Sequence, residues 1–221
     1  MNIKLQKIKL KNQYYFSGKK IKFTKYSLSH LHKETDLFFD WYLKHCSKNL
    51  KLGKIKKTLK KELNNIYKKL YFKNNCFTHR DFHASNIMMI KNRLSLIDTQ
   101  DAIIGNPLYD VASLIDDVRI KIPKKLQDSL FKYYFSKSKF KKKDQIHLKN
   151  DFDILSVQRN LKILGIFVRL YKRDNKSNYL KYLPYTWQLI DRRMKSPIFN
   201  RLNILLKKYL SLKKLKKIKK I

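Results

Sequence analysis

A chain of 221 residues with 53 Lys and Arg against 16 Asp and Glu carries a formal charge of +37 with histidine neutral. At 43% hydrophobic and 13% aromatic it still holds enough apolar surface to bury a core, which excludes wholesale disorder; four glycines and four prolines exclude a collagen-like or low-complexity architecture. Two cysteines, Cys46 and Cys76, are too few for a disulfide framework or a four-thiolate zinc site, and no run approaches the roughly 18 to 20 apolar residues of a membrane span, so a soluble, reduced, cytoplasmic protein is expected.

In chain order, residues 1–24 are basic with short apolar alternation and read as a lead-in, remnant or linker, in which strands over residues 3–10 and 14–23 would form at most a hairpin. Residues 31–45 place Leu37, Phe38, Trp41 and Tyr42 at helical spacing. A polar loop over residues 47–57, containing Gly53, leads to an amphipathic helix with Leu59, Leu63, Ile66, Tyr67 and Leu70 on one stripe and lysines on the solvent side. The clearest β signal follows, two short apolar runs at 87–90 and 94–97 around Lys91-Asn92-Arg93. Asn106-Pro107 opens a helix over 108–118, and Pro123 opens another with Leu126, Leu130, Phe131 and Tyr134 on one face. Residues 151–171 form the most apolar helix, with Val157, Leu161, Leu164, Val168 and Tyr171 in register; a helix over 183–194 and a basic amphipathic tail over 201–221 complete the chain. The fold class is mostly α with a small β-hairpin.

A pI near 10.2 raises nucleic acid as a partner, since each neutralised phosphate releases counterions. Only nine of the 53 basic residues are Arg, the side chain suited to bidentate phosphate and base contacts, and the accompanying wealth of Lys, Asn, Ile, Tyr and Phe matches A/T-rich codons. Compositional drift therefore explains the charge better than nucleic-acid binding does. The distribution says more than the sum. From 79 to 118 six acids (Asp81, Asp98, Asp101, Asp110, Asp116, Asp117) face three bases, a local balance of −3 in a chain that is otherwise +40.

That window holds the chemistry. Antiparallel strands bring the residue before the first and the residue after the second to neighbouring positions, here Asn86 and Asp98. An amide oxygen and a carboxylate are hard ligands of the kind that hold Mg²⁺ while phosphate supplies the rest, and Asp81, on the loop entering the hairpin, adds a candidate base. His79-Arg80-Asp81-Phe82-His83-Ala84-Ser85-Asn86 fits the H-R-D-x-x-x-x-N catalytic loop of protein kinases, and Ile97-Asp98 and Gly105-Asn106-Pro107-Leu108-Tyr109-Asp110 follow at the right distances.

This stretch resembles the aminoglycoside phosphotransferase and choline kinase superfamily of small-molecule kinases. Asp98-Thr99-Gln100-Asp101-Ala102, Tyr109-Asp110-Val111-Ala112-Ser113-Leu114, and the run from Val157 through Gln158-Arg159-Asn160-Leu161-Lys162 to Phe167 are similar to the bacterial anomeric kinases of cell-wall amino sugars, which act on N-acetylmuramate and N-acetylglucosamine in peptidoglycan recycling; Glu34 to Leu43 resembles the helix that begins their C-terminal lobe. The resemblance covers about residues 25–184. It implies the C-terminal lobe of a protein-kinase-like fold over residues 25–200, with ATP and Mg²⁺ as cofactors and a sugar hydroxyl as acceptor. It implies that Asp81 orients or deprotonates that hydroxyl, that Asn86 and Asp98 hold Mg²⁺, and that His79, Arg80 and Asp110 support the loop. Gln100 and Asp101, and Gln158, Arg159 and Lys162 on the long helix, are candidates for the sugar pocket. His83 reads as a loop hydrogen-bond partner, and Thr99 departs from the aromatic usual at its place.

A kinase of this kind also needs an N-terminal lobe with a loop over the phosphates and a lysine that engages them. The glycines stand apart at 18, 53, 105 and 165, and some two dozen residues precede the resemblance, so that lobe is expected to be largely absent, encoded separately, or lost in a fragment that now does something else. Two readings stay open beside the amino-sugar kinase: a kinase of aminoglycosides or other small alcohols, and a non-catalytic basic module on nucleic acid or an anionic surface.

Overall fold

The computed structural model describes residues 1–10, 14–46 and 52–209, which divide into two compact units. In chain order the elements are α1 (Asn2–Gln6), β1 (Tyr14–Phe16), β2 (Lys19–Ile21), α2 (Leu28–Leu37), a π-helical segment (Phe38–Leu43), α3 (Lys44–Cys46), α4 (Leu52–Tyr67), β3 (Cys76–Thr78), β4 (Ile87–Ile90), β5 (Arg93–Leu96), β6 (Ile103–Gly105), α5 (Leu108–Ile115), α6 (Lys124–Lys137), α7 (Gln145–Asp174), α8 (Leu183–Arg193) and α9 (Asn200–Tyr209). Helices dominate, as expected, and the described strands form three antiparallel pairs, β1–β2, β3–β6 and β4–β5. Among the described residues no helix is long and apolar enough to cross a membrane.

One unit comprises Met1–Ser27 and Tyr71–Phe152. At its centre β3 pairs with β6, Cys76 opposite Gly105 and Thr78 opposite Ile103. Residues 24–26 run along β6 as well: Tyr26 N–H donates to the Ile104 carbonyl at 2.8 Å and Ile104 N–H to that of Thr24 at 2.9 Å. Three-residue strands are too short to display a period of two, so the β3–β6 pair leaves no signal in the sequence, while residues 14–23, expected as one strand, fold back on themselves as the β1–β2 pair. Residues 3–10 are not a strand. They begin in α1, whose Gln6 donates to the Pro107 carbonyl at 2.7 Å and accepts from the Tyr134 hydroxyl at 3.0 Å, giving a short helix the tertiary support that its length cannot supply.

The next helices of this unit follow their proline signals. α5 buries Leu108, Tyr109, Val111, Ala112 and Ile115, and α6 starts after Pro123. The face of α6 keeps Leu130, Phe131 and Tyr134 turned inward as expected, but Leu126 is exposed and Gln127 takes its place. The Gln127 amide donates to the Ile115 carbonyl at 3.0 Å and to Asp116 Oδ1 at 3.1 Å, so a polar group enters the interior with its hydrogen bonds made.

The other unit comprises Leu28–Leu70 and Asp153–Ile221. α4 buries Leu59, Leu63, Ile66 and Tyr67 on one stripe and begins at Leu52, so residues 52–57, expected as loop, are helical; residues 47–51 lie outside the described set. Phe38 stacks on Tyr42 with centroids 5.5 Å apart, and the Trp187 indole donates to the Tyr42 hydroxyl at 2.7 Å. The polar ends of two large aromatics thus satisfy each other in the core, and burial there pushes the Tyr42 phenol well above its usual range. α7 packs Leu161, Leu164 and Val168 inward, and Gly165 lies against the α2 backbone where the π-helical segment begins. Of the basic tail, α9 buries Leu202 and Leu206, and residues 210–221 lie outside the described set.

Both thiols are free. Burial pushes Cys46 up to about 11 and Cys76 up to about 12, which leaves on the order of one thiolate in 10³ and 10⁴ at pH 8. Alkylation of either thiol by iodoacetamide at pH 8, followed by mass spectrometry, should run at least about 100-fold slower than that of free cysteine. Rapid modification of Cys76 would show that β3 opens in solution.

Candidate active site

β3 delivers the chain to His79, and from there to Asn86 most main-chain N–H groups are held. Asp110, buried in the first turn of α5, accepts the His79 N–H on Oδ2 at 2.7 Å and the Arg80 N–H on Oδ1 at 3.0 Å. This two-point grip holds Arg80 at φ +74°, a left-handed conformation that costs a non-glycine residue about 1–3 kcal/mol. His79 is fully buried and is fixed from both sides. Its Nδ1 accepts the Asp81 N–H at 3.3 Å, which assigns the proton to Nε2, and Nε2 donates to the Ile97 carbonyl at 2.9 Å.

The second half of the loop turns on the Asp81 carbonyl. It accepts the His83 N–H at 3.0 Å and the Asn86 side-chain amide at 3.0 Å, while Asn86 N–H donates to the His83 carbonyl in a 3₁₀ turn over Ala84–Asn86. Phe82, 1% exposed, anchors the middle in the core. Every hydrogen bond that Asp81 makes in this loop is a main-chain bond, so its carboxylate has no structural duty there.

The hairpin after the loop differs from expectation by one residue. Lys91 and Asn92 both take positive φ, +45° and +59°, the signature of a two-residue type I′ turn, so Arg93 belongs to β5 and Ile87 faces Leu96. Asn86 is consequently joined to Ile97, whose N–H donates to its carbonyl at 3.1 Å, and Asp98 lies one residue further on. Asp98 has φ +67°, which takes it out of the strand, so strand alternation does not decide where its carboxylate goes. Gln100 does: its amide donates to Asp98 Oδ1 at 2.6 Å. Asp98, Gln100 and Asp101 are all exposed, and the Asp101 carbonyl accepts from Arg80 Nη1 at 3.4 Å.

The donor set fits a hard divalent cation. With the Asn86 amide nitrogen committed to the loop, its Oδ1 is the end left for a ligand, and Asp98 keeps Oδ2 beside the oxygen that Gln100 holds. Among the described residues no group of three or more His, Cys, Asp or Glu forms a metal cluster, so protein oxygens here would share the cation with phosphate or water.

Gln158, Arg159 and Lys162 stand on α7 in the unit formed by Leu28–Leu70 and Asp153–Ile221. Gln158 and Lys162 both engage the buried Glu34 there, at 2.9 Å and 3.1 Å, and Arg159 is 3% exposed.

Two supports carry no role in the sequence reading. Asp117, buried past the end of α5, accepts the Ala84 N–H at 3.1 Å, so α5 and its C-terminal turn bracket the loop with a carboxylate at each end. Asn106 accepts the Leu108 N–H on its side-chain oxygen at 2.9 Å, which starts α5, and donates to Asp151 at 2.7 Å. Asp151 in turn accepts the Tyr71 and Phe72 N–H groups at 2.9 and 3.0 Å, and burial raises its carboxyl above the ordinary value despite these bonds. The acidic window pointed at Asp117, but only the folded loop shows which main-chain group it holds.

Comparison with known proteins agrees with this anatomy. Residues 22–143, more than half of the chain, match the phosphotransferase enzyme family, and the match takes in the loop, the hairpin and α5. The chain is similar to the N-acetylmuramate/N-acetylglucosamine kinase of Pseudomonas aeruginosa, 30% identical over 166 residues, which are 73% of this chain and 49% of that protein. It is also similar to the protein of the same name from Neisseria meningitidis serogroup B, 30% identical over 159 residues (69% and 47%), and to that from Caulobacter vibrioides, 30% over 121 residues (52% and 32%). The chain thus spans about half the length of the first two of these relatives. A catalytic-type loop held at both ends by α5, inside a match of this extent, leads to one conclusion: the chain belongs to the phosphotransferase enzyme family.

Proposed function

We propose that this chain is the acceptor-side part of an ATP- and Mg²⁺-dependent kinase that phosphorylates a hydroxyl of an amino sugar, N-acetylmuramate or N-acetylglucosamine, in cytoplasmic recycling of cell-wall material. The observation that carries the reading is the loop itself: a carboxylate at Asp81 with no hydrogen bond among the described residues, on a main chain clamped by Asp110, His79 and Asp117. A general base must be held in place without being consumed by its own scaffold, and this one is. The choice of acceptor is supported by the names of the relatives and by the sugar-kinase-like segments.

Asp81 accepts the proton of the sugar hydroxyl as its oxygen bonds to the γ-phosphorus, and the bond from that phosphorus to the bridging oxygen of ADP breaks. Asn86 Oδ1 and the Asp98 carboxylate would hold Mg²⁺, which would supply neutralisation of phosphate charge there. Gln100 steadies Asp98, while His79, Arg80 and Asp110 keep Asp81 in register. Gln100 and Asp101, next to Asp98 in sequence, remain candidates for sugar contact, whereas Gln158 and Lys162 are engaged by Glu34 in their own unit. The nucleotide phosphates also need a phosphate-binding lobe, whether encoded separately or not.

The test joins the chain to the part of the Pseudomonas aeruginosa relative that it does not match and measures ADP release with ATP and Mg²⁺. Expected are phosphorylation of N-acetylmuramate or N-acetylglucosamine by the joined protein, at most about 1% of that rate from the chain alone, and little turnover of an aminoglycoside. Faster use of the aminoglycoside would select the other acceptor class. No transfer to any of the three, together with nucleic-acid affinity falling steeply with salt, would replace the enzyme by a binding module.

A further inference from the structure

The unit formed by Met1–Ser27 and Tyr71–Phe152 encloses a cavity of about 260 Å³ that no residue of the catalytic-type loop lines. Its floor is apolar, made by Ile3 of α1, Phe72, Pro107 and Phe140, and the Phe72 and Phe140 rings meet edge to face with centroids 4.8 Å apart. The walls are fixed before anything enters. Gln6 ties α1 to the Pro107 carbonyl and to the Tyr134 hydroxyl, while the Phe72 N–H donates to Asp151 at 3.0 Å and the Phe72 carbonyl accepts from Asn106 at 3.1 Å. The Cys76 thiol donates to the Gly105 carbonyl at 3.3 Å and the Ser138 hydroxyl to the Phe135 carbonyl at 2.8 Å, so the polar groups of the interior are already committed. What is left for a guest is the rim: Lys7, Lys73, Lys137 and Lys139, supplied by three separate segments, with the exposed Asn75 among them. None of the four lysines makes an ion pair among the described residues, and no described residue lining the cavity is acidic.

We infer that this cavity binds a small organic anion: a single ring or short chain bearing a carboxylate or phosphate, its apolar body on the phenylalanines and its charge among the lysines. The volume sets the size. Pockets for drug-sized ligands begin at roughly 300 Å³, so about 260 Å³ takes one ring with its head group and little more. The charge of the guest follows from the setting of the lysines and not from their number, since on a chain of +37 a cationic rim by itself selects nothing. Here the cations stand around a partly enclosed apolar floor, where a partner's charge is screened less than on open surface. A bare inorganic anion would leave the floor wet, and a neutral ring would leave the lysines uncompensated, so a guest that is both apolar and anionic fits best. Cys76 and Pro107 each stand three residues before one end of the bond between Asp110 and the His79 N–H, so the occupant would touch both elements that this bond joins.

The experiment titrates phenyl phosphate and benzoate into the full chain at about 0.15 M salt and reads binding by ligand-observed NMR. At least one of the two should bind with a Kd of about 1 mM or tighter, and inorganic phosphate and benzyl alcohol should each bind at least about tenfold more weakly. Lys73→Glu with Lys139→Glu should weaken the bound probe by about tenfold or more, whereas Lys121→Glu with Lys125→Glu, the same change in net charge placed around the start of α6, should alter it by less than about twofold. All four lysines are exposed, so both double variants should melt within about 3 °C of the parent. Asn75→Trp, which plugs the mouth from an exposed position without changing the charge, should weaken binding as the Lys73 and Lys139 pair does. Equal losses from the two double variants would make the affinity a property of the whole charge and overturn the inference. So would inorganic phosphate binding as tightly as phenyl phosphate, which removes the floor, benzyl alcohol binding as tightly as either probe, which removes the rim, or no binding of either probe. Sugar phosphorylation by the joined protein has no bearing on any of these outcomes.

Discussion

Asp81→Asn should lower phosphoryl transfer by the joined protein by about 10³-fold, within the range of a lost general base, while leaving the melting temperature unchanged. Both halves of that expectation come from the loop. The Asp81 N–H donates to His79 and its carbonyl accepts from His83 and Asn86, so the substitution touches none of the bonds that shape the turn. Asparagine keeps the size of the side chain and removes only its capacity to take a proton. The fall should therefore appear in kcat at saturating sugar and ATP, with little change in sugar KM. Asp98→Asn should instead raise the Mg²⁺ concentration needed for half-maximal rate, since it removes charge from the proposed ligand of the cation and not from the proposed base. A full rate from Asp81→Asn would remove this residue from the reaction, and with it the reason for assigning the loop a catalytic task.

The largest effect on stability should come from Gly165→Ala. In an ordinary helix interior this change stabilises by up to about 1 kcal/mol. Here a Cβ would lie 2.2 Å from the carbonyl carbon and oxygen of Leu37 and 2.6 Å from the amide nitrogen of Phe38, and backbone cannot step aside as a side-chain tip can. The helices must separate, so a loss of about 3 kcal/mol or more is expected, or roughly 6–12 °C in melting temperature for a chain of this size. Gly105→Ala makes a useful comparison, because its Cβ would meet Thr78 Oγ1 at 2.5 Å, which rotation can move, and Thr78 Cβ at 2.9 Å, which rotation cannot, so part of the clash is relieved without moving a main chain. Thermal melts of the two variants should rank Gly165→Ala far below Gly105→Ala. A stabilised Gly165→Ala would mean that α7 and α2 do not approach this closely.

Long amphipathic helices were the legible part of the fold. Leu59, Leu63 and Ile66 on α4, and Val157, Leu161, Leu164 and Val168 on α7, are buried as their spacing requires. The catalytic-type loop was legible for another reason, since its residue types are set by chemistry at a fixed spacing. What the sequence hid is decided by tertiary contact. β3 and β6 are three residues each and exist because they pair with one another. The one-residue shift of the hairpin follows from left-handed conformations at Lys91 and Asn92, residues that an A/T-rich composition scatters everywhere. Gln127 replaces Leu126 in the interior because the Ile115 carbonyl and Asp116 await a donor there, which helical periodicity does not register.

The grip of Asp110 has a kinetic meaning. It reads main-chain N–H groups 31 and 30 residues away, so neither the side chain at 79 nor that at 80 is needed for it, and only a proline would abolish it locally. The loop gets its shape from a contact that exists only after the intervening chain has closed and α5 has docked, and closure over such a span is an entropic cost met all at once. A partly folded chain would carry every residue of the site in sequence and none of it in space. Competence to bind should then appear in a single step with folding of this unit, and a nascent chain that has not yet emerged as far as Asp117 would be inert.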